Sequence, residues 1–201
     1  QIDLDEGCQT GQVFPLDDRL NLARFQAAQG QLPHRATYTY WGGGISIPSA
    51  SAAPLFARGF RITAEIELPE ASATGALVAL GSKFGGWSFY LKDGYPVVTM
   101  AGSTQVGRIF RVAAGDRVPP GKAQIVFDFR ADGPKPGTGG AMRISVNGRP
   151  VGEGRIEQPI VMTTELTDTF DVGFDASTTV TDEYQGDGQF TGQIDKVVVK
   201  Q

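Results

Sequence analysis

Apolar and polar residues alternate along most of this chain. Phe60-Arg61-Ile62-Thr63-Ala64-Glu65-Ile66-Glu67-Leu68 interleaves five apolar positions with four polar ones. That period of two marks a strand with one face on a core and the other in water. Gln124-Ile125-Val126-Phe127-Asp128-Phe129-Arg130 repeats the pattern with Ile125, Phe127 and Phe129 inward. Met142, Ile144 and Val146 form a further strand, and Asn147-Gly148 turns it back into Val151 to Arg155. Thr37 to Trp41 and Ile45-Ser46-Ile47 are β-prone, whereas Ala76 to Leu80 is continuously apolar and reads as a buried strand.

The centre of the pattern lies between Gly81 and Met100. Trp87, Phe89 and Leu91 share one parity; Ser88, Tyr90 and Lys92 share the other. Asp93-Gly94 supplies the positive φ angles of a tight hairpin, and Val97 to Met100 returns. Trp87 therefore belongs to the core, and Tyr90 to the opposite face. Weaker signals follow. Thr104 to Val112 reads as a strand, Ala131 to Gly140 as an exposed Gly/Pro loop, and Phe170 to Gly173 as a strand. Ala176 to Gly188 reads as a long polar loop. In the last strand, Phe190 to Lys200, the apolar residues change parity midway. A β-bulge near Asp195-Lys196 brings Ile194, Val197 and Val199 onto one face.

About ten short strands with turns every eight to twelve residues imply an all-β, two-sheet antiparallel sandwich. The sandwich spans residues 37–201. Residues 1–36 read as an arm, with Leu20, Ala23, Arg24 and Ala27 at helical spacing before Gly30. In the arm, Asp17 and Asp18 can cap the helix start and Arg19 can fork onto a carboxylate or carbonyls, which would dock the arm on the sandwich.

Composition narrows the function. At 201 residues, with 27 Gly, 12 Pro and 12 Phe, the chain suits a single all-β domain. A net charge of −4 with no basic block argues against a nucleic-acid partner. No apolar run reaches the roughly 18 residues of a membrane helix. The single cysteine, Cys8, excludes an intrachain disulfide and a thiolate zinc site.

The stretch Gly81-x-x-Phe84-Gly85-Gly86-Trp87-Ser88-x-Tyr90-x-Lys92-Asp93-Gly94 resembles the C-terminal region of bacterial arylsulfatases. Two further pieces agree in order. One is Phe14-Pro15-Leu16-Asp17-Asp18-Arg19. The other is Phe170-Asp171-Val172-Gly173, with Val180 to Tyr184 and Phe190 to Ile194 after it. The resemblance implies a concanavalin A-like or laminin-G-like jelly roll that lacks catalysis and packs on a sulfatase domain of the same protein. It also implies a periplasmic or secreted location. The nucleophile of that family lies in Cys/Ser-x-Pro-x-Arg, whereas Cys8-Gln9-Thr10-Gly11-Gln12 has neither the proline nor the arginine. With one histidine, His34, this chain alone has no sulfatase site and no ready Ser-His-Asp triad.

Other groups admit both a chemical and a plainer structural reading. Glu65 and Glu67 share a strand face about 7 Å apart, a spacing open to an inverting glycosidase. Their alternation with apolar residues also describes an ordinary solvated face. Asp171, Asp175, Asp182, Glu183 and Asp187 form an acidic cluster whose loop offers oxygen ligands for a structural calcium. Trp41, Tyr90 and Tyr95 are candidate contacts for a glycan or a partner domain, with Tyr38 and Tyr40 nearby. The leading expectation is thus an accessory sandwich of an arylsulfatase-like protein, without a cofactor of its own. The alternative is an independent carbohydrate-binding, lectin-like module.

Overall fold

The computed structural model describes residues 35–53, 55, 59–102, 109–133, 138–157 and 168–201. The arm with Asp17, Asp18 and Arg19, its expected helix, Cys8 and His34 lie outside the described residues.

The described chain is built from twelve strands in chain order. They are β1 (Thr37–Trp41), β2 (Ile45–Pro48), β3 (Phe60–Leu68), β4 (Gly75–Ser82), β5 (Gly85–Lys92) and β6 (Tyr95–Ala101). Then come β7 (Ile109–Ala113), β8 (Gly121–Ala131), β9 (Gly140–Val146), β10 (Arg149–Ile156), β11 (Thr169–Val172) and β12 (Gln193–Lys200). Ser49–Ser51 makes one 3-10 turn. The strands form two six-stranded sheets. The first runs β1-β12-β3-β8-β9-β10 and the second β2-β11-β4-β5-β6-β7, with every pairing antiparallel. The sandwich read from the alternation is the observed fold.

The core lies between the sheets and uses the parities that the sequence showed. From the first sheet come Ile62, Ala64, Ile66, Ile125, Phe127, Val197 and Val199; from the second come Leu77, Val78, Trp87, Phe89, Leu91 and Phe170. Phe89 of the second sheet lies 5.8 Å from Phe127 of the first, and within the second sheet Trp87 meets Phe170 edge-on at 6.4 Å. Edge-to-face packing suits the positive rim and negative face of aromatic rings. The register of β12 on β3 shifts between Ile194 and Lys196, which is the expected bulge. The Asp93-Gly94 turn has φ of 50° and 82°, and Asn147-Gly148 has 50° and 80°. Both pairs are the left-handed combination a two-residue hairpin needs to follow the strand twist.

Of the strand expected over Thr104 to Val112, the part from Ile109 is seen in β7, and residues 103–108 lie outside the described set. And β5 is not half-buried: Ser88 and Tyr90, on the face away from Trp87, are both fully buried. A loop covers that face.

Candidate functional site

The strand registers place outward side chains in rows across each sheet. On the first sheet one row reads Thr37, Lys200, Arg61, Asp128, Arg143, Glu153. The next reads Thr39, Val198, Thr63, Val126, Ser145. A third begins Trp41, Lys196, Glu65, Gln124. The small or uncharged middle row forms a floor between two charged walls. The result is a groove of about 470 Å³ on this face, open to solvent.

Its charges are mostly fixed in pairs. Arg61 donates from Nε to Asp128 Oδ1 at 2.6 Å and from a terminal nitrogen to Oδ2 at 3.1 Å. This fork-to-fork geometry holds both side chains in one plane. Lys196 Nζ lies 3.1 Å from Glu65 Oε2 and also 5.6 Å from the centre of the Trp41 ring. Lys200 makes no ion pair among the described residues. Three cations against two carboxylates leave the groove with one unbalanced positive charge.

Trp41 stands beside this groove and is 71% exposed, the most exposed large apolar side chain described. Edge strand β1 presents it outward because Tyr38 and Tyr40, of opposite parity, turn inward. Tyr40 packs 4.7 Å from Phe170, and its hydroxyl accepts from the Ala53 amide at 3.4 Å. Glu65 and Glu67 do share the outward face, but Glu65 is engaged by Lys196.

The outer face of the second sheet is closed. Its central row reads Ser46, Asp171, Ala79, Ser88, Thr99, Arg111. The chain from Gly173 to Gly188 folds back over this row as a strap. Its backbone is tied at both ends: Gly173 donates to Leu77, Gly188 accepts from Ala76, and Thr179 accepts from Lys83. Ala76, Tyr90, Val97 and Tyr184 form a second small core beneath it. Tyr90 shares a 2.9 Å hydrogen bond with Thr99 and meets Tyr184 edge-on at 5.2 Å. Tyr90 was expected to be available to a ligand; it is buried under the strap and reaches none. Tyr95 is partly exposed, with the Arg117 guanidinium 5.1 Å over its ring.

The five acidic residues do not converge. Glu183 receives Arg111 at 2.6 and 3.0 Å and Lys92 at 3.1 Å. Burial pushes its carboxyl up, but the two cations outweigh this and hold it below the usual range. Asp182 is exposed, and exposed Asp187 accepts from the Gln189 amide at 3.1 Å. Asp171 and Asp175 are buried. Among the described residues no three His, Cys, Asp or Glu side chains are grouped to hold a metal. The Asp175 carboxyl is pushed up to about 6, chiefly by burial and against the hydrogen bonds from Tyr184 and the Val180 amide. Burial, and then the neighbouring Asp175 charge and the hydrogen bond to it, raise the Tyr184 hydroxyl far above its ordinary value.

The aromatic residues that mark sugar contacts in the sequence do not point to Arg61, Asp128, Lys196 and Lys200. Their signal was present as charged residues at outward parity on three strands that pair. The pairing itself joins positions as far apart as Arg61 and Lys200, and alternation alone does not give it.

No family model matches the chain, and no curated protein matches it. Solved structures do. The CBM40 domain of the Ruminococcus gnavus IT-sialidase, bound to α2,3-sialyllactose, superposes with a TM-score of 0.52 at 10% identity. That match covers 83% of this chain and 90% of the other. The leech intramolecular trans-sialidase matches with a TM-score of 0.51 at 12% identity, over 84% of this chain and 26% of that one. The LG1-3 region of the laminin α2 chain gives 0.50 at 10%, over 84% and 30%. At such identities the likeness shows the fold alone, an antiparallel jelly-roll sandwich of the kind these domains share. None of these comparisons links the chain to arylsulfatases.

Proposed function

We propose that this domain is a carbohydrate-binding module whose ligand lies in the groove of the first sheet, against Trp41. The observation that carries this reading is the asymmetry between the two outer faces. One is sealed by a strap; the other is open and lined by fixed donors and acceptors beside an exposed indole. Pyranose rings have the matching character. Their C–H faces stack on an aromatic plane, while vicinal hydroxyls bridge paired donors and acceptors such as Arg61 and Asp128. The preformed ion pairs hold these groups in place, so little side-chain ordering remains when a sugar binds. The sialidase-associated neighbour was solved with sialyllactose, and a groove with one cation in excess fits an acidic saccharide of that kind. Such a module acts on glycans outside the cytoplasm, in keeping with an exported protein.

A glycan array followed by titration calorimetry tests this. Trp41→Ala should weaken binding at least tenfold with unchanged melting temperature. Absence of binding to neutral and acidic oligosaccharides alike would reject the reading.

The accessory role on a sulfatase domain keeps one support, the three ordered sequence pieces. The fold gives several of these residues a structural use: Trp87 fills the core, Asp93-Gly94 makes the hairpin, and Asp175, Val180 and Tyr184 pin the strap. A Cys-x-Pro-x-Arg encoded upstream of Gln1 would favour that role, and the two readings are compatible in one protein.

A further inference from the structure

Two positive side chains stand directly opposite each other on the open face of the first sheet. Lys200 of β12 and Arg61 of β3 are register partners, and both are exposed. Like charges facing each other across a strand pair repel. Asp128 relieves only one of them. It lies on the far side of Arg61, on β8, and accepts from Nε and one terminal nitrogen of the guanidinium. On the other side of Lys200 stands uncharged Thr37. Lys200 thus has no carboxylate beside it, and Arg61 keeps its second terminal nitrogen for another acceptor. An anion between the two would remove a repulsion that the fold leaves in place.

The groove that these cations flank runs across the strands, not along them. Its floor is the row Thr39, Val198, Thr63, Val126 and Ser145. From edge strand β1 to β9 that row crosses four strand spacings, about 19 Å, enough for several pyranose rings end to end. Its central residues, Val198, Thr63 and Val126, are short, β-branched and partly exposed, so they offer a strip of methyl groups without a bulky side chain to interrupt it. Every lining residue lies on β3, β8, β9 or β12 except Gly148. Gly148 belongs to the β9–β10 turn, whose Asn147 is hydrogen-bonded to Gln124, so it prolongs the wall on the Trp41 side and does not cross the floor. Among the described residues, then, no loop closes either end. A site that reads the last sugar of a chain needs such a closure, because it must tell an end from a middle. A groove without end walls admits a middle.

We propose that the groove binds an internal stretch of a linear acidic polysaccharide, laid across the strands with a carboxylate or sulfate between Lys200 and Arg61. This rests on the reading of the groove as a glycan site and adds the ligand's class, its direction and its anchoring charge. Sugar C–H faces lie on the valine–threonine strip, and Trp41 flanks the same end of the groove from the opposite wall. Lysine supplies a point charge and the guanidinium edge a directional donor, so the pair can take either anion. The chain's net charge of −4 does not oppose this at physiological salt, where exposed charges beyond about 8 Å are largely screened.

The whole chain is titrated by calorimetry, in about 0.15 M salt, with polygalacturonate, carrageenan and sialyllactose. Preference for polygalacturonate assigns the anchoring group as a carboxylate, and preference for carrageenan as a sulfate. Removing that group, by methyl esterification or desulfation, should weaken binding at least tenfold. An oligomer of the preferred polymer with both ends chemically blocked should bind within twofold of the unblocked one. Lys200→Met should weaken polymer binding at least fivefold without lowering the melting temperature, since it removes one of two opposed cations. Lys122→Met, on the same face but outside the groove, should leave binding unchanged. Affinity that is lost on blocking the ends, or that survives removal of the anion or Lys200→Met, overturns the inference. Binding to sialyllactose alone also overturns it, and leaves the carbohydrate-binding reading standing. Binding to none of these and to no neutral saccharide rejects both.

Discussion

Replacing Trp87 by alanine tests the core assignment at its centre. The indole is fully buried on β5, paired across the sheet with Leu80 on one side and Met100 on the other. It packs edge-on against Phe170 from β11. A buried aromatic side chain of this size removes ~200 Å² from water, so at about 25 cal/mol per Å² the transfer term is roughly 5 kcal/mol. Alanine retains a small part of that area. Collapse of neighbours into the gap recovers little, because strands β4 and β6 are hydrogen-bonded to β5 on both sides and cannot close in. A loss of about 4 kcal/mol follows, within the range seen for Trp→Ala in cores. For a domain of this size that corresponds to roughly 8–16 °C in melting temperature. The chain has two tryptophans, which supplies the control. Trp41→Ala removes an exposed ring and should change stability by no more than about 0.5 kcal/mol. It also leaves Trp87 as the sole reporter, with blue-shifted emission until unfolding. Stability of the Trp87→Ala protein is read by circular dichroism in urea. If that protein keeps its stability but loses a glycan, Trp87 is a contact residue and the core assignment is wrong.

Two further outcomes follow from the turns and the strap. Gly94 has φ of 82°, and a Cβ there would strike the Ala71 carbonyl oxygen, whereas Gly121 at 88° has open space around it. Gly94→Ala should therefore cost distinctly more than Gly121→Ala, which carries only the left-handed penalty of about 1–2 kcal/mol; equal costs in urea titrations would refute the contact. Glu183 has its folded-state pKa held below the usual carboxylate value by Arg111 and Lys92. Its contribution to stability is thus present above about pH 4.5 and is lost as pH falls through the lower folded value. Glu183→Gln should flatten that acid limb of the melting curve, and an unchanged limb would remove Glu183 from the account.

What was legible in the sequence was set by how much one-sided wetness each strand has. Phe60 to Leu68 and Gln124 to Arg130 alternate strictly because one face meets the core and the other meets water. Their parity, their hairpins and even the bulge before Lys196 could therefore be read directly. The bulge showed because only an extra residue brings Ile194 and Val197 to the same face. The groove was less legible because a wall of charges on β12, β3 and β8 exists only once those strands are paired, and alternation carries no information on partners.

The covered face was misread for a different reason. Parity states which side a residue faces and nothing about what lies above that side. Parity puts Ser88 and Tyr90 on the face opposite Trp87, and a strap some ninety residues later in the chain buries both there. A signal for the cover was present in the residue types. Outward positions of the first sheet include Arg61, Glu65, Glu67, Lys122 and Asp128, as a wet face requires. Central outward positions of the second are Ala79, Ser88, Tyr90, Val97 and Thr99, with charges only toward the rim at Lys92 and Arg111. Lysine and glutamate are the usual occupants of an exposed strand face, and their absence over several adjacent strands implies that something else excludes water there. Away from that rim the one charge in the row is Asp171, and it is buried beneath the strap. A soluble ligand can reach only the face whose outward residues are charged. The distribution of charge between the two outer faces thus leaves the first sheet open to a ligand and the second beneath the strap.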